Sequence, residues 1–256
     1  MKLPDSFNLA GRRALVTGSS RGIGAALALA LAEAGADVMI HCTGNASAAN
    51  GVADQVRALG RRTGFVQADL SADDGARRIH DASVAALGGI DILILNASVQ
   101  IRKNWTDFTR ADLDAHYAVN YRASFELLQL AVPAMITARW GRVLTVGSVQ
   151  EIRPHPEMLA YSSFKHAQTG LVLGLAKQLA PHGVTLNNLA PGVIVTDRNA
   201  DALARPGYAD KVRSSIPAGR LGYPADCVGA ALLLCSDAGA YITGQNLFAD
   251  GGLGLA

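Results

Sequence analysis

The chain has 256 residues, half of them apolar and few aromatic, with a formal charge of +2 spread along its length. That length suits one wide α/β domain, and the absence of a basic stripe or a run of like charge argues against nucleic acid and membrane surfaces as partners. The apolar run Leu27–Leu31 is soon broken by Glu33 and Asp37, too short to cross a bilayer. The opening MKLPDSFNLAGRR has no apolar signal core. Three unpaired cysteines, Cys42, Cys227 and Cys235, read as reduced thiols of a cytoplasmic protein. The dispersed histidines show no HExxH, so no metal site is expected.

Short apolar runs alternate with longer helical stretches. In chain order the pattern predicts strand Ala14–Val16, helix Gly22–Ala34, strand Val38–Ile40, helix Ala46–Leu59, strand Gly64–Ala68 and helix Asp73–Leu87. Ile92–Leu95 reads as a strand buried on both faces. A long helical region, Arg110–Thr137, is followed by strand Arg142–Val146, helix Leu159–Leu179 and strand Val184–Leu189. Beyond Gly192 the pattern turns irregular, and Asp197–Leu221 is expected to be a mobile lid. A helix near Ala225–Cys235 and a strand at Asn246–Ala249 close the chain. The alternation predicts a single Rossmann-like domain over residues 1–256, with a doubly wound parallel sheet and helices on both faces.

The first strand runs into Thr17-Gly18-Ser19-Ser20-Arg21-Gly22-Ile23-Gly24. Gly18 allows a tight turn. Gly22 and Gly24 allow close approach of backbone to a pyrophosphate and of helix to sheet, while the helix N-terminus offers free amides. The alternative is an ordinary glycine-rich turn. No Gly-Lys-Ser/Thr follows, which disfavours a nucleotide triphosphate loop. An acid ending the second strand would hold the ribose hydroxyls of NAD. Here the strand ends His41-Cys42-Thr43-Gly44-Asn45. Thr43, Asn45 and Ser47 can donate hydrogen bonds to a 2′-phosphate and Arg21 can add a charge-assisted contact, so NADP(H) is favoured over NAD(H). Cys42 reads as a packing residue.

Five separated motifs then agree in order: TGSSRGIG, Ser148, Tyr161 with Lys165, PGVIVT at Pro191–Thr196, and YITGQNLFADGG near the C-terminus. Together they resemble the short-chain dehydrogenase/reductase family over almost the whole chain. The resemblance implies a catalytic set of Asn120, Ser148, Tyr161 and Lys165, with Asn120 holding a water beside the lysine. It implies cofactor contacts at Gly18, Ser20, Arg21, Gly22, Ile23, Gly24 and Thr43. Further contacts are implied at Asp69 (against the adenine), Leu70, Asn96 and Ala97, and at Pro191, Gly192, Ile194 and Thr196. Tyr161 and Lys165 also face the cofactor in this reading. Asn96-Ala97-Ser98 departs from the usual NNAG turn: Leu95 precedes it and Ser98 stands in place of glycine.

A free tyrosine has a pKa of about 10. Lys165 is one helical turn from Tyr161, and a nearby cation favours the phenolate. Tyr161 can then exchange a proton with a carbonyl or alcohol oxygen, while the Ser148 hydroxyl steadies the developing oxyanion.

Within the family, Asn96–Lys103 is similar to the stretch NAGIQFRK of gluconate 5-dehydrogenases, and Gly192–Asn199 to their GYMLTDMN. This implies a small-molecule substrate, a keto sugar acid or polyol. Arg102 and Arg153 are the cations considered for its carboxylate, with Gln150 beside them. A 3-oxoacyl-carrier-protein reductase would share the catalytic set. A non-catalytic NADP(H)-binding regulator is a reading of another class. The resemblance also implies a homo-oligomer, commonly a tetramer.

Overall fold

The computed structural model describes residues 4–255; Met1–Leu3 and Ala256, which the 1–256 assignment includes, lie outside the described residues. Seven parallel strands form one sheet: β1 Arg13–Val16, β2 Asp37–Cys42, β3 Thr63–Gln67, β4 Ile92–Leu95, β5 Gly141–Val146, β6 Val184–Pro191 and β7 Asn246–Ala249. Their spatial order is β3-β2-β1-β4-β5-β6-β7. The direction of winding reverses between β1 and β4. The carboxyl ends of these strands therefore open a crevice, the place where open α/β sheets hold ligands.

Helices α1 Gly22–Glu33, α2 Ala46–Ala58, α3 Gly75–Leu87, α4 Arg110–Tyr117, α5 Ala123–Ala138 and α6 Leu159–Leu179 join the strands. Strand side chains alternate between two cores. Ala14, Val16, Ile92, Ile94, Leu144 and Val146 pack with α1 and α2 on one face. Leu15, Leu93, Leu95 and Val143 pack with α3, α5 and α6 on the other. All four residues of β4 are buried, as a strand covered on both faces requires.

Three stretches differ from the sequence expectation. The helical region Arg110–Thr137 is two helices separated by a π turn, Ala118–Arg122. The segment Asp197–Leu221 is not irregular throughout: it holds two short helices, α7 Asp197–Leu203 and α8 Tyr208–Ser214. Neither has a buried residue, so no apolar stripe betrays it in the sequence. The helix expected at Ala225–Cys235 starts as a 3-10 turn, Pro224–Cys227, before α9 Val228–Cys235.

Candidate active site

The glycine loop is locked from both neighbouring strands. From β2, His41 Nδ1 accepts from the Gly18 amide at 2.9 Å, while Nε2 faces the Ala68 carbonyl at 3.0 Å. His41 is fully buried and burial lowers its pKa, so the neutral ring donates through Nε2. From the end of β4, Asn96 Nδ2 donates to the carbonyls of Thr17 (2.9 Å) and Gly18 (3.0 Å). A Cβ on Gly24 would collide with the Gly18 carbonyl and the Asn96 amide, so glycine is required there for packing. Gly22 has φ +59, and a Cβ there would meet only Thr196. The Arg21 side chain caps none of the first amides of α1. An open backbone at Gly22 and uncapped amides at a helix start fit the pyrophosphate of a dinucleotide.

A cleft of about 750 Å³ runs along the carboxyl ends of the strands. Gly18, Ser20, Arg21, Gly22, Ile23, Gly24, Thr43 and Leu70 line its one arm, and Asn96, Ala97, Ser148, Tyr161 and Lys165 its floor. Pro191, Gly192, Ile194 and Thr196 form the facing wall. Arg102, Gln150 and Arg153 reach it from the outer loops.

Three sequence candidates, Ser47, Asp69 and Asn120, stand off the lining. Asp69 turns its carboxylate to the Ser71 amide at 2.8 Å. Asn120, within the π turn, pairs both side-chain atoms with the Val99 backbone, Val99 N to Oδ1 at 2.8 Å and Nδ2 to Val99 O at 2.9 Å. Its side chain thus shapes the turn after β4.

Tyr161 and Lys165 are buried on α6, with 6% and 1% exposure. Lys165 Nζ donates to the Val146 carbonyl at 2.6 Å and to Gln168 Oε1 at 3.1 Å, and Gln168 Nε2 continues to Ser124 Oγ at 3.2 Å. Burial pulls the lysine down to about 7; the Arg198 cation pulls the same way and Glu151 opposes. Burial raises Tyr161, while Arg198 and Ser148 beside it favour the phenolate. Arg198 thus joins Lys165, the cation that the sequence placed one helical turn away, beside the phenol. The Lys165 ammonium lies 5.8 Å from the Tyr161 ring centroid and is held by the β5 backbone.

Ser148 accepts from the Gln150 amide at 3.2 Å, so its hydroxyl proton is free to point into the cleft. Its own amide donates to Glu151 Oε1 at 2.8 Å. Glu151 is only 9% exposed. Oε1 also receives Asn188 Nδ2 (3.1 Å), and Oε2 receives Thr169 Oγ1 and Asn246 Nδ2, both at 2.8 Å. Four neutral donors therefore hold one carboxylate under the serine. The sequence reading passed over Glu151. Its position three residues after Ser148, in capping-box register, was the available signal.

The outer cations are already engaged. Arg102 pairs with Glu157 at 3.3 Å, and Arg153 Nη1 donates to the Leu253 carbonyl at 2.7 Å. Gln150 Oε1 accepts from the His155 amide at 2.6 Å. Arg21 pairs with Asp197 of α7 at 3.4 Å, both side chains exposed. The arginine facing Tyr161 is Arg198, which the sequence reading did not single out. The stretch GYMLTDMN, to which Gly192–Asn199 is similar, has Met at that position. That mismatch was its signal.

A phenol, a serine hydroxyl and a buried lysine at the sheet crevice can move a proton to or from an oxygen. A family model described as enoyl-(acyl carrier protein) reductase matches residues 18–254. The chain belongs to the short-chain dehydrogenase/reductase family. It is an oxidoreductase of the kind that acts on CH–OH and carbonyl groups. This dehydrogenase/reductase is 36% identical over 253 residues to gluconate 5-dehydrogenase of Gluconobacter oxydans, covering 99% of this chain and 98% of that one. It is 34% identical to 3-oxoacyl-[acyl-carrier-protein] reductase of Aquifex aeolicus, covering 96% and 99%. Among solved structures, a 3-oxoacyl reductase of Agrobacterium tumefaciens with NADP bound superposes at TM-score 0.93 and 40% identity, over 98% and 97% of the chains. A gluconate 5-dehydrogenase of Burkholderia cenocepacia in complex with NADP and tartrate does so at 0.92 and 36%, over 98% of each. Among the described residues no group of three His, Cys, Asp or Glu could hold a metal ion, and no helix is long and apolar enough to cross a membrane.

Proposed function

We propose that the protein is an NADP(H)-dependent reductase that interconverts a ketone and a secondary alcohol on a sugar acid or polyol, in the manner of gluconate 5-dehydrogenases. The observation that carries this reading is one cleft lined by Ser148, Tyr161 and Lys165 with three arginines, Arg102, Arg153 and Arg198, around it. A ketone with hydroxyl and carboxylate groups complements that wall. Tyr161 exchanges the proton with the substrate oxygen, Ser148 hydrogen-bonds that oxygen, and Lys165 holds the nicotinamide ribose. When bound, the nicotinamide supplies or accepts the hydride. Asn120 fixes the turn after β4 through Val99, and its place in the catalytic set, holding a water beside Lys165, rests on the family resemblance.

NADP(H) is preferred because the second strand ends in Cys42 and Thr43 with no acid, and Arg21 sits at the loop. NADP in the two solved relatives supports this. A homotetramer fits the large apolar residues left exposed on α4 to α6, Tyr117, Phe125, Leu159 and Leu173. Three free, buried cysteines fit a cytoplasmic location.

The 40% identity to a 3-oxoacyl reductase supports a second reading, reduction of a carrier-bound thioester. Nicotinamide absorbance separates the two, using NADPH and NADH with 5-ketogluconate, related keto sugars and acetoacetyl thioester. NADPH oxidation by a keto sugar acid is the expected result. Turnover of the thioester alone would replace the first reading with the second.

A further inference from the structure

Arg198 is held from one side only. Its Nη1 donates to Ser98 Oγ at 2.8 Å and its Nη2 to the Ser98 carbonyl at 2.9 Å. Two contacts to one residue orient a planar guanidinium and leave its remaining N–H groups for the cleft. Ser98 is the residue that departs from the usual glycine of this turn. With glycine there, only the carbonyl contact would remain. The brace therefore joins two unusual residues, 100 positions apart in sequence.

No carboxylate compensates this cation. Asp197, next in the chain, pairs with Arg21, and Arg198 makes no ion pair among the described residues. Arg198 lines the same cleft as Tyr161 and Lys165, and its charge acts on both. Lys165 and Arg198 thus line one cleft with Tyr161. Glu151 is the anion acting on Lys165, and four donors already occupy its oxygens. An incoming anion would complete the charge balance on the open side of Tyr161.

We propose that Arg198, braced by Ser98, determines specificity by binding the carboxylate of the substrate next to Tyr161. This rests on the carbonyl-reductase reading and narrows it to anionic substrates over neutral polyols. Because α7 also carries Asp197, whose partner is Arg21 on the glycine loop, the same helix touches both arms of the cleft. An anion on Arg198 would then hold α7 down over the site.

The test is calorimetric titration of gluconate, and of neutral glucitol, into protein saturated with NADPH. Neither alcohol reacts with reduced cofactor, so binding is read without turnover. Wild type is expected to bind gluconate and to prefer it to glucitol. Arg198→Met should weaken gluconate binding about ten- to a hundredfold, the scale of a lost charge-assisted contact, and erase the preference. Arg198→Lys should restore part of it, and Ser98→Gly should fall between. NADPH affinity measured alongside reports an intact fold. Equal gluconate binding by wild type and Arg198→Met would overturn the proposal, as would a wild type that binds glucitol as well as gluconate. Failure of the reductase reading shows separately, as no NADPH oxidation with any carbonyl compound while gluconate still binds through Arg198.

Discussion

His41 Nδ1 accepts the Gly18 amide at 2.9 Å, tying the end of the second strand to the first glycine of the loop. The ring must be neutral at Nδ1 to do so. Burial depresses its pKa below the ordinary 6.5. The unfolded chain therefore takes up a proton near pH 6.5 that the folded chain refuses. The contribution to stability is complete above that pH and is lost as pH falls from 6.5 toward the lower folded value. Urea midpoints between pH 7 and 5 should drop in wild type. In His41→Leu the drop should be smaller, on a baseline lowered by about 1–3 kcal/mol for the Gly18 amide and Ala68 carbonyl left without a partner. An unchanged pH slope in the variant would exclude this histidine as the source.

Glu151 should matter more to turnover than its distance from the cleft surface suggests. Its carboxylate receives Ser148 N and three side-chain donors. Glu151→Gln places an amide where donors converge, so one donor pair must break. A stability loss of about 1–3 kcal/mol is expected, by the cost of a buried unsatisfied group. The reduction rate should fall with it, because the Ser148 loop loses its anchor. Thermal melts and steady-state kinetics on the same preparation check both effects.

Tyr161→Phe removes the hydroxyl and keeps the ring that fills the buried site. NADPH binding should survive, while turnover should fall about 10²–10⁴-fold, the usual size of a general acid contribution. Fluorescence titration of NADPH and steady-state reduction measure the two halves. Normal turnover in this variant would assign the proton to another group.

Cys42 is buried at the carboxyl end of β2 and lines the cofactor arm of the cleft. Cys42→Asp puts a negative charge where a 2′-phosphate would lie. The ratio of kcat/KM for NADPH over NADH should drop by about tenfold or more, since like charges close together cost at least about 1.4 kcal/mol. A ratio that stays put would show that the phosphate is recognised elsewhere.

Much of this protein was legible in its amino-acid order. The runs Ile92–Leu95, Leu159–Leu179 and Asn246–Ala249 form the predicted elements with the predicted bounds. Strong local patterns do this in the first two: a β-branched and leucine run buries both faces of a strand, and long apolar periodicity holds a helix. The glycine spacing and the Tyr161–Lys165 interval likewise place chemistry, because each is a local geometric demand of a turn or a helix. The π turn at Ala118–Arg122 was not legible, since no glycine or proline marks it and the break comes from Asn120 bonding to Val99 in another element.

What only the tertiary structure decided is which polar groups meet. Arg198 and Ser98, Glu151 with Thr169, Asn188 and Asn246, and Lys165 with Gln168 and Ser124 pair across elements that sequence order leaves far apart. A buried charge or a hydrogen bond depends on distance in space, and residue type and spacing carry that information only within one element. The chain therefore announced a dinucleotide-binding α/β sheet and its phenol. The folded arrangement decided that burial raises that phenol, and that an arginine from α7 stands beside it.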